Sequence, residues 1–235
     1  MIILDPSIEI ESFNGKEIMQ NIEKACRTCY RSEDNITEDS YKSLLKNCIN
    51  RGHESVLEHE KITITMICDI GVYKDLTRHR IASYSIESTR YCNYSKDKFD
   101  NQIKFIKPVF YDEGWIESNY EGRTMTKDEH KSYLWYNCME DIEQSYNAMS
   151  EIEALPDEMR MLLPHSTAAK VTMTANIREW KHILSLRCSS HAHPAVQQLL
   201  IPFLLKLKEE MPEIFDSVEY NEKFPKEKYA KIIVN

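Results

Sequence analysis

The chain has 235 residues, a formal net charge of −8 and a hydrophobic fraction of 42%. These values indicate a globular protein with a sizeable core and argue against a disordered chain. The acidic balance disfavours general nucleic-acid binding, which needs a broad basic surface. No apolar run approaches the ~20 residues of a membrane-spanning helix, and the N-terminus lacks the basic and apolar segments of a signal peptide. We therefore expect a cytoplasmic protein.

Seven cysteines, an odd number, are scattered along the chain, which is typical of free thiols in a reducing compartment. Cys26 and Cys29 form one C-x-x-C, a spacing that is compatible with a redox pair or half of a zinc site. They lie in a segment of helical periodicity, and no second C-x-x-C follows. We interpret both as core thiols, with a metal or redox role as the alternative.

The first third of the chain predicts a short strand followed by two helices. The first helix covers residues 15–31, and the second begins near Thr37 and ends at Gly52, a residue type that commonly follows a helix. The second helix should bury Leu44, Leu45, Cys48 and Ile49. Residues 61–70 alternate apolar and polar side chains, which predicts a strand.

The rest of the chain alternates between irregular segments and periodic ones. In order, we predict a polar loop at 93–101, a strand at 103–110 broken by Pro108, an irregular stretch at 111–123, a long helix at 128–154, a strand at 170–176, and helices at 178–188 and 194–210, the last kinked at Pro202. A single α+β domain of residues 1–235, with a mostly antiparallel sheet flanked by helices, is the simplest interpretation.

The stretch from Arg78 to Tyr91 concentrates cationic and hydroxyl side chains in an acidic protein. They are Arg78, His79, Arg80, Ser83, Ser85, Ser88, Thr89 and Arg90. Arginine forks and hydroxyls bind phosphate and planar, carbonyl-rich rings. A solvated basic turn would explain Arg-His-Arg alone, but the hydroxyls favour an anion site. No glycine-rich phosphate loop is present, so a bound nucleotide would be held by side chains.

A second cluster lies around the helix predicted at 178–188. Arg178 and His182 are four residues apart and share a face, close to Asn176. Arg187 falls on the opposite side, in a stripe with Trp180, Ile183 and Leu184. A guanidinium on an apolar face needs a carboxylate or a ligand as partner, or a stem that reaches the surface. The structural and ligand-binding interpretations are equally compatible with the spacing.

Two histidine pairs have the residue type of metal ligands but not a convincing pattern. His53 and His59 are six residues apart, which fits one helical face poorly, and His191 and His193 lack Cys or carboxylate neighbours. We predict no metal site from either pair.

Taken together and in order, these segments resemble the flavin-dependent thymidylate synthases over residues 29–200. The matching blocks are Arg78-His79-Arg80 with Ser88 and Arg90, Gly52-His53-Glu54-Ser55 with Glu58-His59, Arg160 with Leu163-Pro164, Asn176-x-Arg178, and Leu186-Arg187 with Ala192-His193-Pro194. The chain departs from the family at Asp75, where Gln is frequent, at Ser85-Ile86-Glu87-Ser88, where the acidic side chain is shifted by one position, and at Ala195, where Glu is common.

The resemblance implies conversion of dUMP to dTMP with FAD, 5,10-methylenetetrahydrofolate and NADPH, and release of tetrahydrofolate. It also implies a homotetramer with active sites shared between subunits. The unrelated classical synthase activates uracil with a cysteine that follows proline, and no cysteine here follows proline. Cationic donors that polarise uracil, with hydride from the flavin as the attacking group, fit this chain instead.

The resemblance also implies residue roles. For FAD they fall on His53, Ser55, Arg78, His79, Arg80, Asn176, Ile177, Arg178 and His182. For dUMP they fall on Asp75, Leu76, Thr77, Arg78, Ile86, Glu87, Ser88, Thr89, Arg90, Arg160 and Arg187. We assign the catalytic role to Arg187 and an orienting role to Ser88, because no Ser-His-Asp arrangement activates that hydroxyl. The alternative is a non-catalytic domain that binds nucleotides or nucleic acid through residues 78–90.

Overall fold

The computed structural model of the protein describes residues 1–11, 13–96 and 101–234. Its strands are β1 (Ile2–Leu4), β2 (Ser7–Ile10), β3 (Lys61–Asp69), β4 (Ala82–Ile86), β5 (Lys104–Ile106), β6 (Ala168–Asn176) and β7 (Lys231–Val234). Its α-helices are α1 (Gly15–Thr28), α2 (Ser40–Asn50), α3 (Ile70–Leu76), α4 (Gly114–Glu121), α5 (Lys127–Glu151), α6 (Pro156–Met159), α7 (Ile177–Arg187), α8 (Pro194–Glu210) and α9 (Pro212–Phe215), with 3₁₀ turns at Glu33–Asn35, Glu54–His59, Arg160–Leu162 and Lys226–Lys228.

The long periodic segments are confirmed as predicted, namely α1, β3, α5, β6, α7 and α8. The second helix begins at Ser40 rather than near Thr37, because the Ser40 hydroxyl accepts from the Thr37 N–H in a turn that precedes the helix. It buries Leu45 and Cys48 fully, while Leu44 and Ile49 are half-buried.

Several segments differ from the sequence-based prediction. The stretch 111–123 was predicted to be irregular but contains α4, where the buried Trp115 packs against Tyr136 with 4.9 Å between ring centroids. The strand predicted at 103–110 shortens to β5. Strands β2, β4 and β7 and the short helices α3, α6 and α9 were not predicted. The predicted loop 93–101 lies partly outside the described residues. Strands of three to five residues carry too little periodicity to be recognised without their partners.

The described residues group into two compact units, each assembled from several stretches of chain. The first comprises Met1–Pro6, Ile67–Asp75 and Ile86–Lys170. In it, β1 and β5 form a parallel two-stranded sheet, and a core forms around Phe105 and Tyr146, both fully buried. The Thr126 side chain and Glu129 form a capping box at the start of α5.

The second unit comprises Ser7–Met66, Leu76–Ser85 and the chain from Val171 onward. The larger sheet has the order β4-β6-β3-β2-β7, and β2 pairs with β7 in parallel. β3 and β6 run antiparallel, since the hydroxyls of Thr63 and Thr174 and those of Thr65 and Thr172 are 2.8 and 2.9 Å apart. The larger sheet is therefore mixed, and a mostly antiparallel sheet is not confirmed.

Helix α7 is fixed in the second unit by its apolar face. Trp180 is fully buried, donates from its indole nitrogen to the Ile62 carbonyl of β3 at 3.0 Å, and packs edge-on against Phe203 of α8. Helix α8 is buried on nearly all sides and continues through Pro202. At the start of α1, a Cβ on Gly15 would lie 2.4 Å from the Glu210 carbonyl oxygen, so this close approach requires glycine.

All seven cysteines are free thiols. Cys26 is a core residue, as predicted, and its sulfur lies 3.4 Å from that of Cys48. Cys29 is exposed, so its assignment to the core was wrong. The reason is that α1 ends at Thr28, which places Cys29 after the helix and away from its buried face. Among the described residues, no helix has the length and apolar character to cross a membrane.

Candidate functional site

The junction of β6 and α7 brings together several of the predicted FAD ligands. Asn176 ends the strand and caps the helix, its side-chain oxygen accepting from the Glu179 N–H at 2.8 Å. Ile177 is fully buried, and its backbone N–H donates to the Glu60 carbonyl at 2.9 Å. The side chain of Ile177 therefore belongs to the core, whereas Arg178 and His182 are exposed on the same face of α7, as predicted.

That exposed face lines an open groove with a volume of about 1610 Å³. Small-molecule sites commonly have volumes of roughly 300–1,000 Å³, so this groove has room for a dinucleotide. A second pocket of about 570 Å³ is lined by Arg80 and shares Glu58, Ile81 and Asn176 with the groove. Arg80, Arg178 and His182 thus line two adjoining cavities of the second unit.

Two carboxylates pair with the cations of α7. Glu58 lies 2.5 Å from the Arg178 guanidinium, and this hydrogen bond raises the pKa of Arg178. Glu54 pairs with Lys181. His53 and Ser55, the other predicted FAD ligands of this segment, are exposed at the start of the 3₁₀ turn Glu54–His59. The turn follows Gly52, whose φ of +72° favours glycine.

His79 differs from its two arginine neighbours in being buried, with 6% of its surface exposed. Its Nε2 accepts from the Arg187 Nε at 3.0 Å, and its Nδ1 lies 3.5 Å from a Glu179 carboxyl oxygen. Burial, with the nearby charges of Arg187 and His182, lowers the pKa of His79 from 6.5 to about 4. The imidazole is therefore neutral at pH 7.

The turn that carries His79 is held by Tyr84 of β4. The Tyr84 hydroxyl lies 2.7 Å from the Leu76 carbonyl oxygen and 2.9 Å from that of His79. Burial raises the pKa of Tyr84 to about 12, and the nearby Glu179 carboxylate adds to this effect. Arg187, His79, Glu179 and Tyr84 thus form one polar cluster in the second unit, in which His79 and Glu179 are buried and the other two are half-buried.

We expected a carboxylate or a ligand as the partner of Arg187, and the structure adds a hydrogen bond from its guanidinium to the neutral imidazole of His79. Its helical neighbours Trp180, Ile183 and Leu184 are fully buried, as predicted, while Arg187 itself is half-buried. The guanidinium reaches His79 because the turn between α3 and β4 comes close to the C-terminal end of α7. This contact joins two clusters that lie more than a hundred residues apart in sequence.

Sequence reasoning missed Glu179 altogether. Its position three residues after Asn176 suggests a helix cap, but only its backbone N–H takes part in the cap, and its side chain faces His79. The signal in the sequence was a carboxylate between Ile177 and Trp180 on the apolar face of a helix, since a buried carboxylate requires a partner.

His79, Glu179 and His182 also have donor atoms within 4.8 Å of one another, a spacing that could hold a metal ion. Arg187 is a permanent cation that donates to one imidazole nitrogen of the trio at 3.0 Å. The guanidinium charge beside the trio would repel a metal cation, which argues against a metal ion at this position.

The predicted dUMP ligands are divided between the two units. Asp75, Ile86, Glu87, Ser88, Thr89, Arg90 and Arg160 belong to the first unit, and Leu76, Thr77, Arg78 and Arg187 belong to the second. Arg78 and Arg160 are exposed, and Leu76 is fully buried and faces the core with its side chain.

Several of the first-unit candidates already have protein partners. Arg90 pairs with Asp157 at 2.9 Å, and its backbone N–H donates to the Ser88 hydroxyl at 3.3 Å. The Glu87 carboxylate accepts from the Lys170 N–H at 3.3 Å and from the Tyr94 hydroxyl at 3.4 Å. A ligand at this segment would therefore compete with Asp157 for the guanidinium of Arg90.

Comparison with known proteins identifies the family of the chain. A family model described as "Thymidylate synthase complementing protein" matches residues 13–213. Proteins named flavin-dependent thymidylate synthase are similar over most of the chain. The protein from Geobacter sulfurreducens is 26% identical over 198 residues, 81% of this chain and 78% of the relative. That from Mycobacteroides abscessus is 30% identical over 202 residues, 83% of this chain and 77% of the relative.

Proposed function

Since residues 13–213 match its model, this chain belongs to the thymidylate synthase complementing protein family, and we propose that it is a flavin-dependent thymidylate synthase that methylates dUMP reductively to dTMP. The carbon donor is 5,10-methylenetetrahydrofolate, NADPH reduces the enzyme-bound FAD, and tetrahydrofolate is released. The observation that carries this proposal is the groove along α7, lined by Arg178 and His182, in the unit that also holds the Arg187–His79 pair. Free cysteines fit a reducing compartment such as the cytoplasm.

The donor set along the groove fits FAD. A pyrophosphate is bound well by arginine forks, and Arg80 and Arg178 line the two adjoining cavities while Arg78 is exposed nearby in sequence. We assign Arg78, Arg80, Arg178 and His182 to FAD binding through their side chains, with His53 and Ser55 at the same site. Asn176 contributes by fixing the start of α7, and Ile177 by its place in the core beneath it.

We propose that the residues which the resemblance implies for dUMP serve its binding. Arg90 and Arg160 supply charge for the phosphate, and Ser88 and Thr89 supply hydroxyl groups for orientation. In this arrangement dUMP would replace Asp157 at the Arg90 guanidinium. Ser88 orients the substrate rather than attacking it, because its described hydrogen bond is to the Arg90 backbone and involves no histidine.

The chemical role of the protein is to bind, orient and polarise the uracil ring. FAD, when bound, supplies the hydride-transfer chemistry that side chains lack. The planar guanidinium cation of Arg187 can stabilise negative charge that develops on a uracil carbonyl oxygen without exchanging a proton. Neutral His79 accepts one N–H of Arg187 and thereby restricts the rotation of its guanidinium.

The function is tested with the purified protein. It should be yellow, and the flavin released by denaturation should be FAD rather than FMN. With dUMP, 5,10-methylenetetrahydrofolate and NADPH it should form dTMP and tetrahydrofolate in equal amounts, while reactions that lack dUMP or NADPH should form neither. A colourless protein that cannot be reconstituted with FAD would overturn the proposal.

We also propose that the active species is a homotetramer with shared active sites. Several large apolar side chains are mostly exposed in the single chain, among them Ile152 (78%) and Met161 (82%), and assembly would cover such surface. Light scattering should return about four times the chain mass of 27.7 kDa, and dilution below the assembly range should release FAD. A fully active monomer would contradict the shared sites.

A further inference from the structure

The hydrogen bond between Arg187 and His79 determines which imidazole nitrogen carries the proton. Arginine has only donors, so the His79 Nε2 that faces the Arg187 Nε at 3.0 Å must accept. A ring with a pKa of about 4 is neutral at pH 7 and carries a single proton. In His79 that proton is therefore on Nδ1.

The Nδ1–H of His79 faces Glu179. The carboxyl oxygen lies 3.5 Å away, and the Glu179 residue is 8% exposed. His182 approaches the ring edge-on with 5.8 Å between centroids, and Tyr84 directs its hydroxyl to backbone carbonyls. Of the groups described around the ring, Glu179 offers the acceptor that faces Nδ1. Without this acceptor the buried Nδ1–H would lack a partner, which is costly.

We propose that Glu179 is a positioning residue that, by accepting from the His79 Nδ1–H, keeps Nε2 as the acceptor that orients Arg187. Glu179 and Arg187 lie eight residues apart on α7, and His79 lies on the turn before β4, so the ring connects the two side chains from outside the helix. The inference rests on the proposed function, in which Arg187 polarises the uracil. It adds a residue that acts on the substrate only through His79.

Two substitutions separate the hydrogen bond from the charge. Glu179→Gln retains a carbonyl oxygen that can accept from Nδ1–H, whereas Glu179→Met has a similar length and no strong acceptor. We expect Glu179→Gln to keep kcat for dTMP formation within about threefold. Glu179→Met should lower kcat about ten- to a hundredfold, by analogy with the loss seen when the hydrogen-bond partner of a metal-ligating histidine is removed. The KM for dUMP should change less than kcat, because Glu179 does not touch the substrate.

A spectroscopic readout does not depend on turnover. In protein labelled with ¹⁵N-histidine and free of dUMP, the two-bond couplings of His79 should show the Nδ1–H tautomer in the wild type and in Glu179→Gln. In Glu179→Met that signal should change to a mixture of tautomers or to exchange broadening. If the wild type made no dTMP but showed this tautomer, the proposed function would fail while the hydrogen-bonded relay remained.

Glu23→Met is the matched control, since Glu23 is also a buried carboxylate of the second unit and pairs with Arg27 at 2.7 Å. It should lower the unfolding midpoint without changing kcat below that temperature or the His79 spectrum. A wild-type ring that is protonated at Nε2 overturns the inference. So does an equal loss of kcat in the Gln and Met variants, which would indicate a charge effect. If Glu179→Met does not fold, the wild-type tautomer and the kcat of Glu179→Gln still test the proposal.

Discussion

Replacing Arg187 with alanine should lower dTMP formation by about 10²–10³-fold, or roughly 3–4 kcal/mol of transition-state stabilisation, while FAD stays bound. The reason is that a planar, permanently charged donor stabilises negative charge on the uracil, and His79 holds one N–H of this donor in place. NADPH-driven flavin reduction should continue, because Arg187 is assigned to the uracil and not to the flavin. Single-turnover assays of dTMP at saturating dUMP measure the effect.

Arg187→Lys should recover little of the activity, since a point charge does not reproduce the guanidinium fork. An independent readout is the pKa of His79. Burial and the charge of Arg187 together hold the pKa of His79 at about 4. Removing the Arg187 side chain should therefore move this pKa upward toward the ordinary 6.5. A near-wild-type rate in Arg187→Ala would transfer the catalytic role to Arg160, and an unchanged pKa of His79 would contradict the contact between the two side chains.

Replacing Arg178 with alanine should weaken FAD binding about ten- to a hundredfold, since hydrogen bonds to a charged group are worth roughly 1.5–3 kcal/mol. The fold should be little affected. Arg178 and Glu58 are each about half-exposed, with side-chain exposures of 49% and 47%, and exposed ion pairs contribute little to folding stability. Titration of the apoprotein with FAD, followed by flavin fluorescence, measures the dissociation constant.

Two further variants make the result specific to Arg178. Lys46→Ala removes the same charge from an exposed position on α2 and should leave the affinity for FAD unchanged. Glu58→Gln removes the anion that competes with a phosphate for Arg178, so FAD should bind as tightly as in the wild type or more tightly. If Glu58→Gln weakened FAD as much as Arg178→Ala does, the pair would be structural and the phosphate contact would have to be sought at Arg78 or Arg80.

The local periodicity of apolar residues was sufficient to predict the longer helices and strands. Helix α8 begins and ends at the residues predicted, Pro194 and Glu210, because proline fits the first turn of a helix and the apolar run between them is long. Strand β3 was recognised because its alternation continues over nine residues. The short β2 and β4 were missed, because their hydrogen bonds are made with strands distant in sequence.

The candidate site likewise has features that the sequence predicted and features that only the structure shows. Order and spacing of the motifs along the chain identified the family, and the 3.6-residue period placed Arg178 and His182 on one exposed face of α7. The same period placed Arg187 beside the buried Trp180. It could not supply the partner of Arg187, because that partner comes from another element.

The sequence by itself therefore determined the kind of ligand, the helix that presents the cationic side chains and the family. Only the tertiary structure decided that His79 is neutral, that it accepts from Arg187, and that Glu179 faces its other nitrogen. The physical reason is that the pKa and tautomer of an imidazole depend on burial and on the groups that surround it in space. Those groups lie about a hundred residues away along the chain, at a distance where sequence spacing carries no information about contact.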